Sequence, residues 1–292
     1  MRKSRRGSPK HQVNNIMIPM LAFGESKHQA KINNDGKPPT GKIFSYSTAG
    51  TYLNCNIRFF LWCREHYGCR EFSECRPYIE EFLYVSYIKI GRSAWTIWKN
   101  ASAICKFFMI STNDLNIELP ARRREDIRKN RYLNEAFDEE KWDDLVQFCL
   151  ATGLRLCELK RLKVDDVYWA SSGNVIVHVR CGKGGRFRHV VALNDFPLTV
   201  KKAAKNNGQV YIFEKLPHNA NIHYYRREFA QTLYKREART IDTLPSNERY
   251  YCKADMRGVV LDRRAMLTVS RALGHNRIGV TTTYLQGIDL NK

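Results

Sequence analysis

The sequence is 292 residues long, enough for two domains with separate cores, and 43% of it is hydrophobic, which excludes a disordered chain. With 49 Lys and Arg against 29 Asp and Glu it carries a net charge of +20, so the expected partner is a polyanion whose phosphates shed counterions on binding. That charge also suits a ribosomal or chromatin-like protein, but an aromatic content of 12% is rich for such a chain.

Residues 1–45 hold nine Lys and Arg against two acids, with Gly-Lys-Pro-Pro at 36–39, and read as a flexible basic arm whose one apolar run is Ile16 to Phe23. No apolar stretch follows Arg2, Lys3, Arg5 and Arg6 directly, and no run approaches the ~18 residues of a membrane span, so a cytoplasmic, nucleoid-associated protein is expected. From Thr48 the pattern turns helical. Tyr52, Ile57, Phe59, Phe60, Leu61 and Cys63 form one apolar face; a second helix begins at Pro77, and a third runs from Ser93 through Trp95, Ile97, Trp98, Ala101 and Ile104 to Phe108. These make an all-helical domain over 46–115, with Arg58, Arg64, Lys89, Arg92, Lys99 and Lys106 available to face DNA. Residues 116–134, with Pro120 and six Arg or Lys between 122 and 131, read as a basic linker.

A second domain spans 135–292. It opens on Asp138-Glu139-Glu140, acids suited to a helix first turn, followed by Trp142, Leu145, Val146, Phe148 and Cys149, and Gly153 stops that helix. Residues 174–180 and 187–193 are β-rich and flank a Gly-containing turn, which predicts a hairpin; a second hairpin is expected at 249–261, and the rest is mainly helical. Both parts of the chain are basic, with 23 basic and 11 acidic residues in 1–134 and 26 and 18 in 135–292, as expected if both grip one duplex.

The nine cysteines include no CxxC pair and fit free thiols in a reducing compartment. Cys63, His66, Cys69 and Cys75 lie close in sequence, but their spacing matches no usual zinc finger, so no metal site is assigned.

Four segments carry the chemistry: Ala151-Thr-Gly-Leu-Arg155-Leu-Cys-Glu158, Gly182-Lys183-Gly-Gly-Arg186-Phe-Arg188, His223-Tyr-Tyr-Arg226, and Leu273-Gly-His275 with Tyr284 nine residues on. Singly each is weak. Arg155 could simply cap a helix, His275 could pack against its neighbours, and Tyr284 is one of 15 tyrosines. Gly182-Lys183-Gly lacks the GxxxxGK[ST] frame of a nucleotide loop. In this order and at these spacings they resemble the tyrosine recombinase, or phage integrase, family across 135–292, and more loosely the helical domain before it. The phrase LDRRAMLTVSRALGHNR is similar to integrases of mobile elements from low-GC Gram-positive bacteria.

The resemblance implies a SAM-like core-binding domain followed by a mixed α/β, mainly helical catalytic domain. It implies site-specific recombination of double-stranded DNA by a homotetramer, through a 3′-phosphotyrosyl intermediate and a Holliday junction, with directionality factors as further partners. By that resemblance Tyr284 is the nucleophile, Arg155 and Arg226 neutralise the phosphate, Lys183 protonates the departing 5′-oxygen, His223 takes the tyrosine proton or assists in the reverse step, and His275 donates a hydrogen bond to the phosphate. Glu158 supports the site without reacting. No metal or cofactor is implied, because the protein supplies the cations. The family spacing fits poorly at one point: Arg226 lies 49 residues before His275, and Arg257, 18 residues before it, is the rival. An inserted hairpin at about 249–261 accounts for the distance. A type IB topoisomerase-like enzyme and an inactive DNA-binding accessory protein are the alternative functions.

Overall fold

The computed structural model describes residues 7–25, 27–34, 41–123, 136–182, 187–253, 256–275 and 277–289. The chain divides into two compact units, Met1–Arg128 and Lys129–Lys292.

The first unit is helical: α1 (Pro9–Met17), α2 (Lys27–Ile32), α3 (Tyr46–Tyr67), α4 (Ile79–Leu83) and α5 (Ala94–Phe107). Ser45 and Ser93 cap α3 and α5 through their hydroxyls, and Gly68, at φ 68°, closes α3 in the left-handed conformation. Phe59, Phe60, Phe72, Phe82, Ile97 and Ile104 are buried together, with the Phe72 ring edge-on to Phe59 and Phe60. Pro77 does not start an α-helix; it sits inside a 3₁₀ segment, Phe72–Tyr78, ahead of α4, and Tyr84–Ile88 then widens into a π-helical turn.

The expected basic arm is corrected over its central part. Ser8 caps α1, Pro9 stands in its first turn, and Val13, Met17 and Met20 enter the core against α3, with Leu21 bridging Ile43. Four to five apolar residues among Lys, His and Asn suffice because they recur on one face. The expected linker is also partly packed: Trp98 donates its indole N–H to the Pro120 carbonyl at 2.8 Å, and the Arg122 guanidinium lies 4.6 Å over the Trp98 ring. Residues 124–135 lie outside the described residues.

The second unit holds α6 (Asp143–Thr152), α7 (Leu156–Leu159), β1 (Val167–Trp169), β2 (Val175–Val179), β3 (Arg188–Val191), α8 (Phe196–Asn206), α9 (Ile222–Glu237), β4 (Arg249–Tyr251), β5 (Val260–Asp262), α10 (Arg263–Ala272) and α11 (Thr282–Leu285). Strands β1–β2–β3 form an antiparallel sheet, with Val167 opposite Val177 and Val177 opposite Val190, all three buried; β4 and β5 form the second hairpin. Helix α6 starts three residues beyond the expected acids, on Asp143 and Asp144.

Helix α9 is the axis of this unit, packed against α6, α10 and α11. Its buried residues are Ile222, Tyr225, Arg226, Phe229, Ala230, Leu233 and Tyr234, the spacing of a helix face turned wholly inward. One of those core positions is an arginine. At the far end of the face the Tyr234 hydroxyl accepts from the Asp262 backbone N–H, and the Asp262 carboxylate accepts in turn from the backbone and guanidinium of Arg239. Asp262 accepts from Arg264 N–H and so caps α10. Among the described residues no helix is long and apolar enough to cross a membrane. None of their His, Cys, Asp and Glu side chains are grouped to hold a metal, and the nine cysteines are free.

Candidate active site

The site is assembled on the two ends of short helical segments around Arg226. Gly153, at φ 58°, ends α6 in the left-handed region, and two residues later Arg155 is the N-cap of α7. There the Glu158 carboxylate accepts from Arg155 N–H at 2.8 Å and from the Arg155 guanidinium at 2.7 Å. Helix α10 ends in a Schellman turn: Gly274, at φ 65°, donates to the Arg271 carbonyl, and His275 N–H donates to the Ser270 carbonyl at 2.8 Å. This leaves the Ala272 and Leu273 carbonyls, at the negative end of the helix dipole, facing three arginines. Arg188 donates to Ala272 (2.9 Å), while Arg155 (3.0 Å) and Arg226 (2.6 Å) both donate to Leu273. Arg226 also donates to the Gly153 carbonyl.

Three guanidiniums this close require counter-charge. Glu158 supplies one unit, bound bidentately by Arg188 at 2.8 and 2.9 Å. Burial alone pushes the Glu158 carboxyl up, but Arg188, and then Arg155, outweigh it and hold the group at about 2. The cluster of Arg155, Arg188, Arg226 and Glu158 keeps a net excess of positive charge, a setting that favours an anion. Arg226 is fully buried, and burial lowers its pKa to about 10, well above neutral pH.

The Schellman turn delivers His275 beside this cluster. Its ring centroid lies 5.4 Å from that of Tyr284, and its buried Nδ1 has no hydrogen-bond partner among the described residues. Burial first, then Arg226, Arg155 and Arg188, lower the His275 pKa to about 4, so the imidazole is neutral at pH 7. Tyr284 is half-buried on α11; its hydroxyl is 3.4 Å from Arg226 Nε, and the Arg226 guanidinium carbon is 5.4 Å from its ring.

A depressed histidine pKa fixes the sign of a stability effect. The unfolded chain takes up this proton near pH 6.5 and the folded chain only near 4, so the contribution is complete above about 6.5 and lost as the pH falls towards 4. Melting temperatures of the wild type and His275→Gln are expected to converge between pH 7 and 4.5, the wild type losing more. His178 is also lowered but is common to both proteins, so the difference isolates His275. Parallel pH profiles would show that His275 is not the group responsible.

Of the residues expected from sequence, the fold brings together Arg155, Arg226, His275 and Tyr284. His223 is exposed on the first turn of α9, one turn before Arg226, and Lys183 lies outside the described residues. Arg257 is exposed in the β4–β5 turn, whereas Arg226 reaches the Tyr284 hydroxyl. Arg188, two residues after Arg186, has no expected role from sequence; the structure adds its ionic bridge to Glu158. Gly274 is needed there both for its φ and for space, since a Cβ would come within 3.0 Å of the Arg188 side chain.

No family profile matches the sequence, and no curated protein does. Solved structures do. The XerH site-specific recombinase bound to palindromic difH substrate, a post-cleavage complex, superposes with a TM-score of 0.54 at 15% identity, covering 98% of this chain and 95% of that one. The pre-cleavage complex of XerH with difH gives 0.51 at 16% identity, over 97% and 95%. This chain shares their fold. At such identities the likeness speaks for the architecture, and the chemistry has to be argued from the side chains above.

Proposed function

We propose that the protein is a tyrosine-type site-specific DNA recombinase that cuts and rejoins double-stranded DNA through Tyr284. The observation that carries this reading is the convergence of Arg226 and His275 on Tyr284, beside an arginine cluster with unbalanced positive charge. A phosphodiester repels nucleophiles, and its pentacoordinate transition state gains negative charge on the non-bridging oxygens. Arg155 and Arg226 present planar forks matched to those oxygens, and the unpartnered Nδ1 of neutral His275 adds a further hydrogen bond. The Tyr284 oxygen attacks phosphorus and loses its proton to His223; the bond to the 5′-oxygen breaks, and Lys183 protonates that oxygen. One phosphoester replaces another, so the bond energy is kept for religation by a second 5′-hydroxyl, and no energy source is required.

The fold shared with XerH, solved on its difH substrate before and after cleavage, supports DNA as the partner, as does the charge of +20. Strand exchange by a homotetramer through a Holliday junction completes the reading. To test it, duplexes that the protein selects from a random pool are nicked so that the released 5′ strand diffuses away, and covalent adducts are scored on denaturing gels. Wild-type protein is expected to form an adduct that Tyr284→Phe abolishes. Specific binding with no adduct on any selected duplex would make the protein a DNA-binding accessory factor instead.

A further inference from the structure

Helix α11, which carries Tyr284, is four residues long, Thr282–Leu285, and a helix that short has no stability of its own. Its position must come from what holds it. Leu285 is fully buried and anchors one side. At its C-terminal end the carbonyls have no partner within the helix, as at any helix end. Helix α9 meets one of them and the carbonyl of the residue that follows the helix: Gln231 Nε2 donates to the Tyr284 carbonyl at 3.2 Å, and Arg227 Nη2 donates to the Gln286 carbonyl at 2.7 Å. Gly287, at φ 74°, then turns the chain past Arg227, where a Cβ would lie in ordinary contact, 3.4 Å from the same Nη2. Arg227 makes this bond at a cost, since its Nε is buried without a partner among the described residues.

The arginine facing the tyrosine hydroxyl, Arg226, is the immediate neighbour of Arg227 and stands five residues before Gln231 on the same helix. We propose that Arg227 and Gln231 are positioning residues that clasp the backbone on the C-terminal side of Tyr284, so that one rigid helix sets both the phosphate-binding arginine and the nucleophile. The inference rests on the proposed strand-transfer chemistry for its consequence, but the clasp itself is a property of the free protein. Nucleophile and cation share a ruler: any displacement of α9 carries both, while loss of the clasp displaces the tyrosine alone.

Gln231→Met and Arg227→Met keep the bulk of the side chains and remove the donors, at positions only partly buried. In full-length protein without DNA, amide hydrogen exchange over residues 282–288 is expected to accelerate in both variants, with α9 and α10 unchanged. On a nicked duplex selected by the wild type, Gln231→Met is expected to bind within about twofold of wild type while single-turnover adduct formation slows by roughly tenfold or more, because misplacing a nucleophile by ~1 Å can cost up to about a hundredfold. Gln231→Glu can donate only when protonated, so its rate relative to wild type at each pH is expected to recover as the pH falls from 7 to 5, unlike that of Gln231→Met. Wild-type exchange over 282–288 in the variants, or wild-type adduct rates with weakened exchange protection, would overturn the proposal. If wild-type protein forms no adduct on any duplex, the strand-transfer reading fails, and unchanged exchange in the variants would separately dispose of the clasp.

Discussion

Arg226→Ala is expected to eliminate covalent attachment to DNA and to destabilise the second unit, while Arg257→Ala leaves both at wild-type levels. The side chain occupies a core position of α9 and is fully buried, with its two terminal nitrogens spent on the Gly153 and Leu273 carbonyls. Truncation strands the Gly153 carbonyl, at about 1–3 kcal/mol when left unmet, leaves the Leu273 carbonyl to Arg155 alone, and opens a cavity of arginine size. Removing a buried cation also removes its desolvation cost, which offsets part of this, so a net loss of roughly 2–4 kcal/mol is expected in urea unfolding. On the proposed reaction the effect is larger: losing one preorganised donor at a developing negative charge costs about 10²–10³-fold, and Arg226 also faces the hydroxyl of Tyr284, the proposed nucleophile. Arg226→Lys keeps a charge but not the fork that spans two carbonyls, and is expected to fold better than alanine without restoring adduct formation. Normal cleavage by Arg226→Ala, with loss in Arg257→Ala, would transfer the role to the hairpin arginine.

Gly153→Ala should have the largest structural effect of any single added methyl group in the site. A Cβ built on Gly153 falls 2.3, 2.7 and 2.9 Å from three atoms of the Phe229 ring, and Phe229 is fully buried on α9. The φ of 58° adds about 1 kcal/mol for a residue with a side chain, and the overlap about 1–3 kcal/mol more. A fall in melting temperature of roughly 5–15 °C follows for a protein of this size. Gly173→Ala is the control. That glycine has φ 74° and open space around it, so it carries the conformational term alone. Calorimetry on the two variants separates ring overlap from backbone strain, and equal shifts would show that Phe229 yields freely. Since the Gly153 carbonyl also holds Arg226, adduct formation is expected to suffer even below the melting transition.

Much of this could be read from the chain because the relevant signals are local. The strands predicted at 174–180 and 187–193 appear as β2 and β3, and the hairpin expected at 249–261 appears as β4 and β5, since β-branched runs around glycine turns declare themselves within a dozen residues. Strand β1, three residues long, has too little pattern to show. Helix α1 is hidden by composition: Lys10, His11, Asn14 and Asn15 set the average, whereas the residues it buries are Val13 and Met17. The site divides in the same way. Motif residues such as His275 and Tyr284 stand out by type and spacing. The bonds that hold them, Arg188 to Glu158 across 30 residues and Gln231 to the Tyr284 carbonyl across 53, leave no trace in sequence because no local pattern ties residues so far apart.

On the proposed strand-transfer chemistry, the Leu273 carbonyl, which receives both Arg155 and Arg226 in the free protein, stands in for an oxygen of the phosphate. The two guanidiniums are therefore already parked side by side with their rotamers frozen, and the conformational entropy of arranging them was surrendered when the chain folded. Docking a phosphodiester then does not have to repay the roughly 0.5–1.5 kcal/mol per side chain that immobilising a loose arginine would demand. Selectivity for the scissile phosphate over its neighbours along a duplex becomes a matter of fit to a fixed gauge, with the helix end of α10 as its zero mark.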